Sequence, residues 1–354
     1  MITKVFYEFF KFPLEDKFFL FLSFSIAILF FISIILVIYA ILLRIYNDFQ
    51  TNHRNYLENK WSIILLDIIS GKKTDQELWK EVKKTEQLLF IDFLYQNYKE
   101  EQKFIFINLA RPYLSAVVKQ LKKWDIESRA KAIRILTILG FPDYIDAVVA
   151  ALDDYSYLVA MVAARSLVRI GNAEYATIIL TKLHKFEKWS IKFLASMFIP
   201  VGEVLFPKLR QILSDTKQSI RVRAVASEAL KEQYDLDAAD IALHIIENEI
   251  DRDIVAPCLR LLTNVGKSSH LPPIRVLQES SDFVLRAFAT SALAHIGEKE
   301  DIPRLRKSIE DTSPWVAMHA AKGLKHLGQI DILKEIAFSD HPRSKLAQQV
   351  LLGK

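Results

Sequence analysis

The sequence predicts an all-α protein: a single transmembrane helix followed by an α-solenoid of about seven units of 31–32 residues. Three observations carry this. Phe18 to Leu43 forms an apolar run without a charge. Glycines recur at Gly140, Gly171, Gly202, Gly266, Gly297 and Gly328. Ahead of each of them lies the same pattern of small and large apolar residues. With only nine glycines in 354 residues, the chain is also poor in the turns that a strand-rich fold needs.

Taken in order, residues 1–17 are an N-terminal tail in which Lys4, Lys11 and Lys17 balance Glu8, Glu15 and Asp16. Residues 18–43 are the membrane helix. At about 1.5 Å per residue the run exceeds the hydrocarbon thickness of roughly 30 Å. It is too long for a signal peptide and lacks a small-x-small cleavage site after it. It is also too uniformly apolar for a core helix with one solvated face. The flanking cations tie, with Lys4, Lys11 and Lys17 before the run and Arg44, Arg54 and Lys60 after it. Further lysines at Lys72, Lys73, Lys80, Lys83 and Lys84 tip the balance toward a cytoplasmic C-terminal body. A lone cysteine, Cys258, excludes an intrachain disulfide.

Residues 44–124 read as a juxtamembrane helical segment that caps the solenoid. Leu57, Trp61, Leu65 and Ile68 are spaced four, four and three apart, and Gly71-Lys72-Lys73 ends that helix. Two more helices are expected over 77–99 and 103–124.

Residues 125–354 are the repeats. Four residues before each unit's end stand Leu136, Leu167, Phe198, Leu230, Leu262, Leu293 and Leu324. Eight before stand Ala132, Ala163, Leu194, Ala226, Cys258, Ala289 and Ala320. Leu139, Ile170, Val201, Val265, Ile296 and Leu327 immediately precede the end, with Gln233 the polar exception. These offsets share one helical stripe, on which a small residue admits a neighbouring helix and a large one fills the space beside it. Glycine suits a left-handed helix stop. The fourth unit has Tyr234 where the others have glycine. Each unit adds a second helix, and Asp311, or Asp153 with Asp154, ends that helix and can cap the next. Helical pairs of this length bury their apolar faces only by stacking on copies of themselves. Leu194 at a small site and Pro257 within a helix mark units three and five as places for a kink.

The unit resembles a HEAT repeat of the short bacterial type known from phycobilisome lyases. Leu285-Arg286, Val222-Arg223, Pro272 and Pro303 carry the resemblance, which spans about residues 125–354. The layout as a whole, one span followed by short repeats, resembles a group of bacterial membrane-anchored HEAT proteins. That resemblance implies a partner protein, in one version an integral membrane enzyme such as a glycosyltransferase.

Chemistry-bearing residues are few. Cys258 occupies a packing site and reads as a small core residue. His295 and His326 fall two residues before adjacent glycines, within about 10 Å across stacked helices. Two ligands make a poor metal site, and a helix C-terminus favours such side chains anyway. His244, Glu247 and Glu249 lack zinc spacing and read as a solvated polar face. No phosphate loop, nucleophile elbow or paired-cysteine motif is present. No catalytic residue, cofactor, metal or small-molecule ligand is therefore expected. With 30 basic against 28 acidic residues over 126–354, the repeats lack a nucleic-acid-binding stripe. One pattern remains. Six residues before the unit ends stand Arg134, Arg165, Arg260 and Lys322, off the buried stripe and on the side expected to line a concave surface. They are the candidate partner-binding residues, suited to an acidic segment. The expected role is a membrane-anchored scaffold. The alternative is a lyase-like enzyme with a site assembled across repeats, and a deep pocket of converging titratable groups would favour it.

Overall fold

In a computed structural model, residues 14–353 are described, and all regular structure among them is helical. Most of the expected N-terminal tail, residues 1–13, lies outside the described residues. The chain divides into two compact units, one ending at Tyr113 and the other starting at Leu114.

In the first unit a single helix, α1 (Leu14–Ile69), continues without a break from the apolar run through to Ile69. Its stripe of Leu57, Trp61, Leu65 and Ile68 is buried, as the spacing predicts. The Trp61 ring meets Phe90 edge-on at 5.2 Å and lies 5.7 Å from Phe93. Aromatic pairs of this geometry add stabilisation beyond the area they bury. The expected helix over 77–99 is two helices, α2 (Asp75–Lys80) and α3 (Gln87–Gln96). Between them the backbone turns, and the Lys83 amide donates to the buried Glu86 carboxylate at 3.3 Å. The break lets Phe90 and Phe93 face Trp61. The helix expected over 103–124 also divides, into α4 (Lys103–Ala110) and α5 (Leu114–Gln120). Pro112 lies in the 3-10 turn between them, where its missing N–H would otherwise interrupt an α-helical ladder.

The second unit repeats a two-helix theme. One series is α6 (Ile126–Leu139), α8 (Tyr157–Val168), α10 (Ile191–Ser196), α12 (Ile220–Glu232), α14 (Arg252–Val265), α16 (Phe283–Ile296) and α18 (Pro314–His326). Between these come α7 (Ile145–Ala150), α9 (Ala173–Thr181), α11 (Phe206–Ser214), α13 (Ala238–Asn248), α15 (Leu271–Leu277), α17 (Ile302–Ser308) and α19 (Ile330–Ala337). A last helix, α20 (Ser344–Leu351), packs on α18 and α19. In the first series α6 packs on α8, and α10, α12, α14, α16 and α18 stack in turn. Asp125, where the sequence places the start of the repeats, caps α6; α5, ahead of it, packs on α6 in the same unit.

The repeated stripe is the core. Leu136, Leu167, Phe198, Leu230, Leu262, Leu293 and Leu324 are all fully buried, as are Ala163, Ala226, Cys258, Ala289 and Ala320. Unit three departs as its large Leu194 suggests: α10 has six residues, and stacking thins between α8 and α10. Unit five does not break. Helix α14 runs through Pro257 and packs on both α12 and α16.

The glycines serve two purposes rather than the one expected. At Gly328 the backbone is left-handed, φ 74°, and the Gln329 amide donates back to the Leu324 carbonyl at 2.8 Å. At Gly297 φ is −66°, and glycine is needed because an added Cβ would stand 2.2 Å from the Leu293 carbonyl oxygen. Tyr234, in the position without glycine, takes the left-handed form all the same, at φ 56°. There the Asp235 amide donates to the Leu230 carbonyl at 3.1 Å, the same closing bond. A left-handed non-glycine residue carries about 1–2 kcal/mol of strain. Its ring is 65% exposed and packs little. Tyr234→Gly should therefore raise stability by about 0.5–1 kcal/mol, the remainder after glycine's extra unfolded-state entropy, seen as a higher thermal midpoint.

Candidate partner-binding face

Arginines tie successive repeats together. Arg129, 2% exposed, donates its Nε and Nη2 to Asp154 at 2.9 and 3.0 Å. Its Nη1 donates to the carbonyls of Lys123 and Trp124 at 2.8 and 2.7 Å. Arg286 repeats the arrangement with Asp311 and the carbonyls of Ser280 and Ser281. Arg223 binds Glu249 through two nitrogens, at 2.8 and 2.5 Å, and the Leu213 carbonyl through Nε. Asp154 and Asp311 also accept the amides of Ser156 and Ser313, so the expected capping role exists, beside an ion pair that spacing did not show. Glu249 is therefore a structural tie and not part of a solvated face with His244. These ties fix the spacing of the first helix series, which displays the face of interest.

The four basic residues singled out by the period do not converge. Arg134, Arg165 and Lys322 are exposed on α6, α8 and α18, and Arg260 on α14 is one-third exposed. Two of them make the same contact with the following repeat. The Arg165 guanidinium lies 5.7 Å over the Phe193 ring, and that of Arg260 lies 5.2 Å over Phe288. Such stacking holds the planar cation while leaving its edge free to bind. Arg260 also sits 3.1 Å from Glu228, which is buried and bonds Lys231 at 2.7 Å.

Of the four, Arg260 lines a cleft between α12, α14 and α16. This hollow, about 570 Å³, is lined by Arg221, Arg252, Arg260, Pro257, Val284 and Phe288, among others. The single acid lining it is Asp253. Arg252 contacts Asp253 at 3.4 Å and Asp282 at 3.7 Å, and Arg221 donates to the Trp189 carbonyl. The Nε atoms of Arg221 and Arg260 are buried without a hydrogen-bond partner. A buried donor left unpaired costs about 1–3 kcal/mol, and both of these atoms are closed to solvent. Sequence reading missed Arg221 and Arg252 because no other repeat has arginine at their positions, and a search by period finds only what recurs.

The other chemistry-bearing side chains have structural surroundings. Cys258 is fully buried, and burial pushes its thiol up to about 12. His295 and His326 come together with ring centroids 6.1 Å apart, and His295 donates from Nδ1 to the Ser291 carbonyl. Burial first, then Lys322 and His295, lower the basicity of His319. Among the described residues no three His, Cys, Asp or Glu side chains are grouped to hold a metal.

Residues 114–192 and 271–351 match a family model described as HEAT repeats. These two stretches are HEAT repeats. No curated protein matches the chain. Among solved structures, the complex of CpcE and CpcF of phycocyanin lyase from Nostoc sp. PCC7120 shares 18% identity. It aligns over 68% of this chain and 87% of its own, with a TM-score of 0.32. Kap121p bound to RanGTP shares 13% identity over 77% of this chain and 37% of its own, at a TM-score of 0.38. An engineered protein shares 18% identity over 67% of this chain and 77% of its own, at 0.37. The HEAT repeats thus bracket α12 and α14, which carry most of the cleft.

Proposed function

We propose that the chain is a membrane-anchored, non-catalytic scaffold whose HEAT repeats bind a partner protein and organise a complex at the membrane. The observation that carries this reading is the arginine-rich, partly apolar cleft, which offers binding groups and no reacting ones. Arginines stacked on aromatics suit carboxylates, and the Val284, Pro257 and Phe288 surfaces suit an apolar side chain beside them. The anchor reading rests on α1, whose apolar part is long enough to cross a bilayer, with a mean hydropathy of 3.2 and none of that window buried. An anchored scaffold meets a membrane-bound partner at raised effective concentration, so modest contacts suffice. In the narrower version the partner is an integral membrane enzyme, and the repeats lie on the cytoplasmic side.

The test is crosslinking in native membranes, with co-captured proteins identified for the unaltered chain and for an Arg165→Glu, Arg252→Glu, Arg260→Gln variant. Thermal melting of both proteins separates lost binding from lost folding, because Arg260 also pairs with the buried Glu228, and capture is compared where both are folded. The variant should lose its captured protein at least tenfold. Equal capture by both would remove this face from the account.

A further inference from the structure

Beyond Leu43, α1 carries two apolar stripes on opposite sides. One of them, Leu57, Trp61, Leu65 and Ile68, is buried within its own unit. The other, Ile45, Phe49, Tyr56, Ile63 and Leu66, is 60–71% exposed. With Asn52 and Asn59, both exposed, it fills an unbroken alternation of four and three residues. The same alternation runs back through Leu42, Ile38, Ile35, Phe31, Ile28, Phe24 and Phe21, all exposed. This is the a/d seam of a coiled coil, and the buried stripe occupies the b, c and f positions behind it.

Lipid can cover the seam inside a bilayer. It cannot cover Phe49, Tyr56, Ile63 and Leu66, which lie past the charge-free run, where an apolar helix face in water needs a protein partner. We propose that this partner is a second copy of the chain, and that the two α1 helices form a parallel, in-register coiled coil through residues 45–66.

Two observations select a second copy over another protein. Asn52 and Asn59 interrupt the seam at its d positions, where, in a parallel and in-register pair, each asparagine meets its own counterpart rather than an apolar side chain. In that register Asp48 of one copy, flanking the seam, comes level with His53 of the other five positions on, although that imidazole also lies 3.9 Å from Glu86 of its own chain. Asp48 is exposed. Dimerisation would present two sets of repeats side by side.

Disulfide scanning of the full chain in native membranes tests this. In a Cys258→Ala background, the seam changes Phe49→Cys, Asn52→Cys, Tyr56→Cys and Ile63→Cys are compared with Gln50→Cys, Thr51→Cys and Glu58→Cys. Mild oxidation should give the seam variants a band of twice the chain mass, at yields at least fivefold above the off-seam variants. Uniform yields, no doubled band, or a peak at positions 50, 51 and 58 would overturn the proposal. So would crosslinking of the seam positions to a band of another mass. None of these results bears on the cleft, so the partner-binding reading stands or falls separately.

Discussion

Leu293→Arg should melt the stack from α14 to α18 while leaving the first unit folded. Leu293 is fully buried on α16, which packs on both α14 and α18. Removing its side chain alone costs about 2–5 kcal/mol. Placing an unpaired guanidinium between three helices adds a desolvation term of similar size. The total approaches the whole stability of an ordinary domain, about 5–15 kcal/mol. Amide exchange should show loss of protection in α14, α16 and α18 and retained protection around Trp61 in α1. Melting of the repeats unchanged from the unaltered protein would mean that this leucine does not face the repeat interface.

Arg129→Ala is the second large effect, expected to cost about 3–5 kcal/mol, the range for removing one member of a buried pair. It strands Asp154, 12% exposed, together with the carbonyls of Lys123 and Trp124. Arg286→Ala should cost less, since Arg286 and Asp311 are 17% and 15% exposed and water replaces part of what is lost. The same ties set the acid sensitivity. The bond from Arg223 holds the Glu249 carboxyl below its ordinary value of 4.5. A carboxyl lowered in the folded state contributes stability that is complete above its unfolded value and disappears as the pH falls through the folded one. The repeats should therefore weaken below about pH 4.5, and Glu249→Gln should remove part of that slope. Chemical denaturation from pH 7 to pH 3 measures both.

The division between what the sequence discloses and what it hides follows from repetition. Leu136 to Leu324 could be assigned to the core because each recurs at one offset and all seven solve the same packing problem. The left-handed turn at Tyr234 was legible as a vacancy, although not as a strained backbone, since periodicity says nothing about φ. The break before α3 was hidden because no glycine or proline marks it; a tertiary contact, the aromatic cluster around Trp61, decides it. The arginine ties were half visible. Arg223 and Arg286 stood out as recurring, but their acids lie 25 or so residues away on another helix, beyond any local pattern. The cleft was the least legible. Arg221 and Arg252 belong to single repeats, and Arg134 and Lys322, which share the offset of Arg260, lie away from it.

Hydroxyl-radical footprinting of the unaltered protein addresses the repeat stack most directly, because leucines of opposite exposure serve as each other's controls. Leu136, Leu230 and Leu324 should resist oxidation until the chain is denatured, while Leu236 and Leu352, 63% and 73% exposed, should react at once. Oxidation of the first three at the rate of the last two would mean that the helical pairs do not bury their apolar sides against one another.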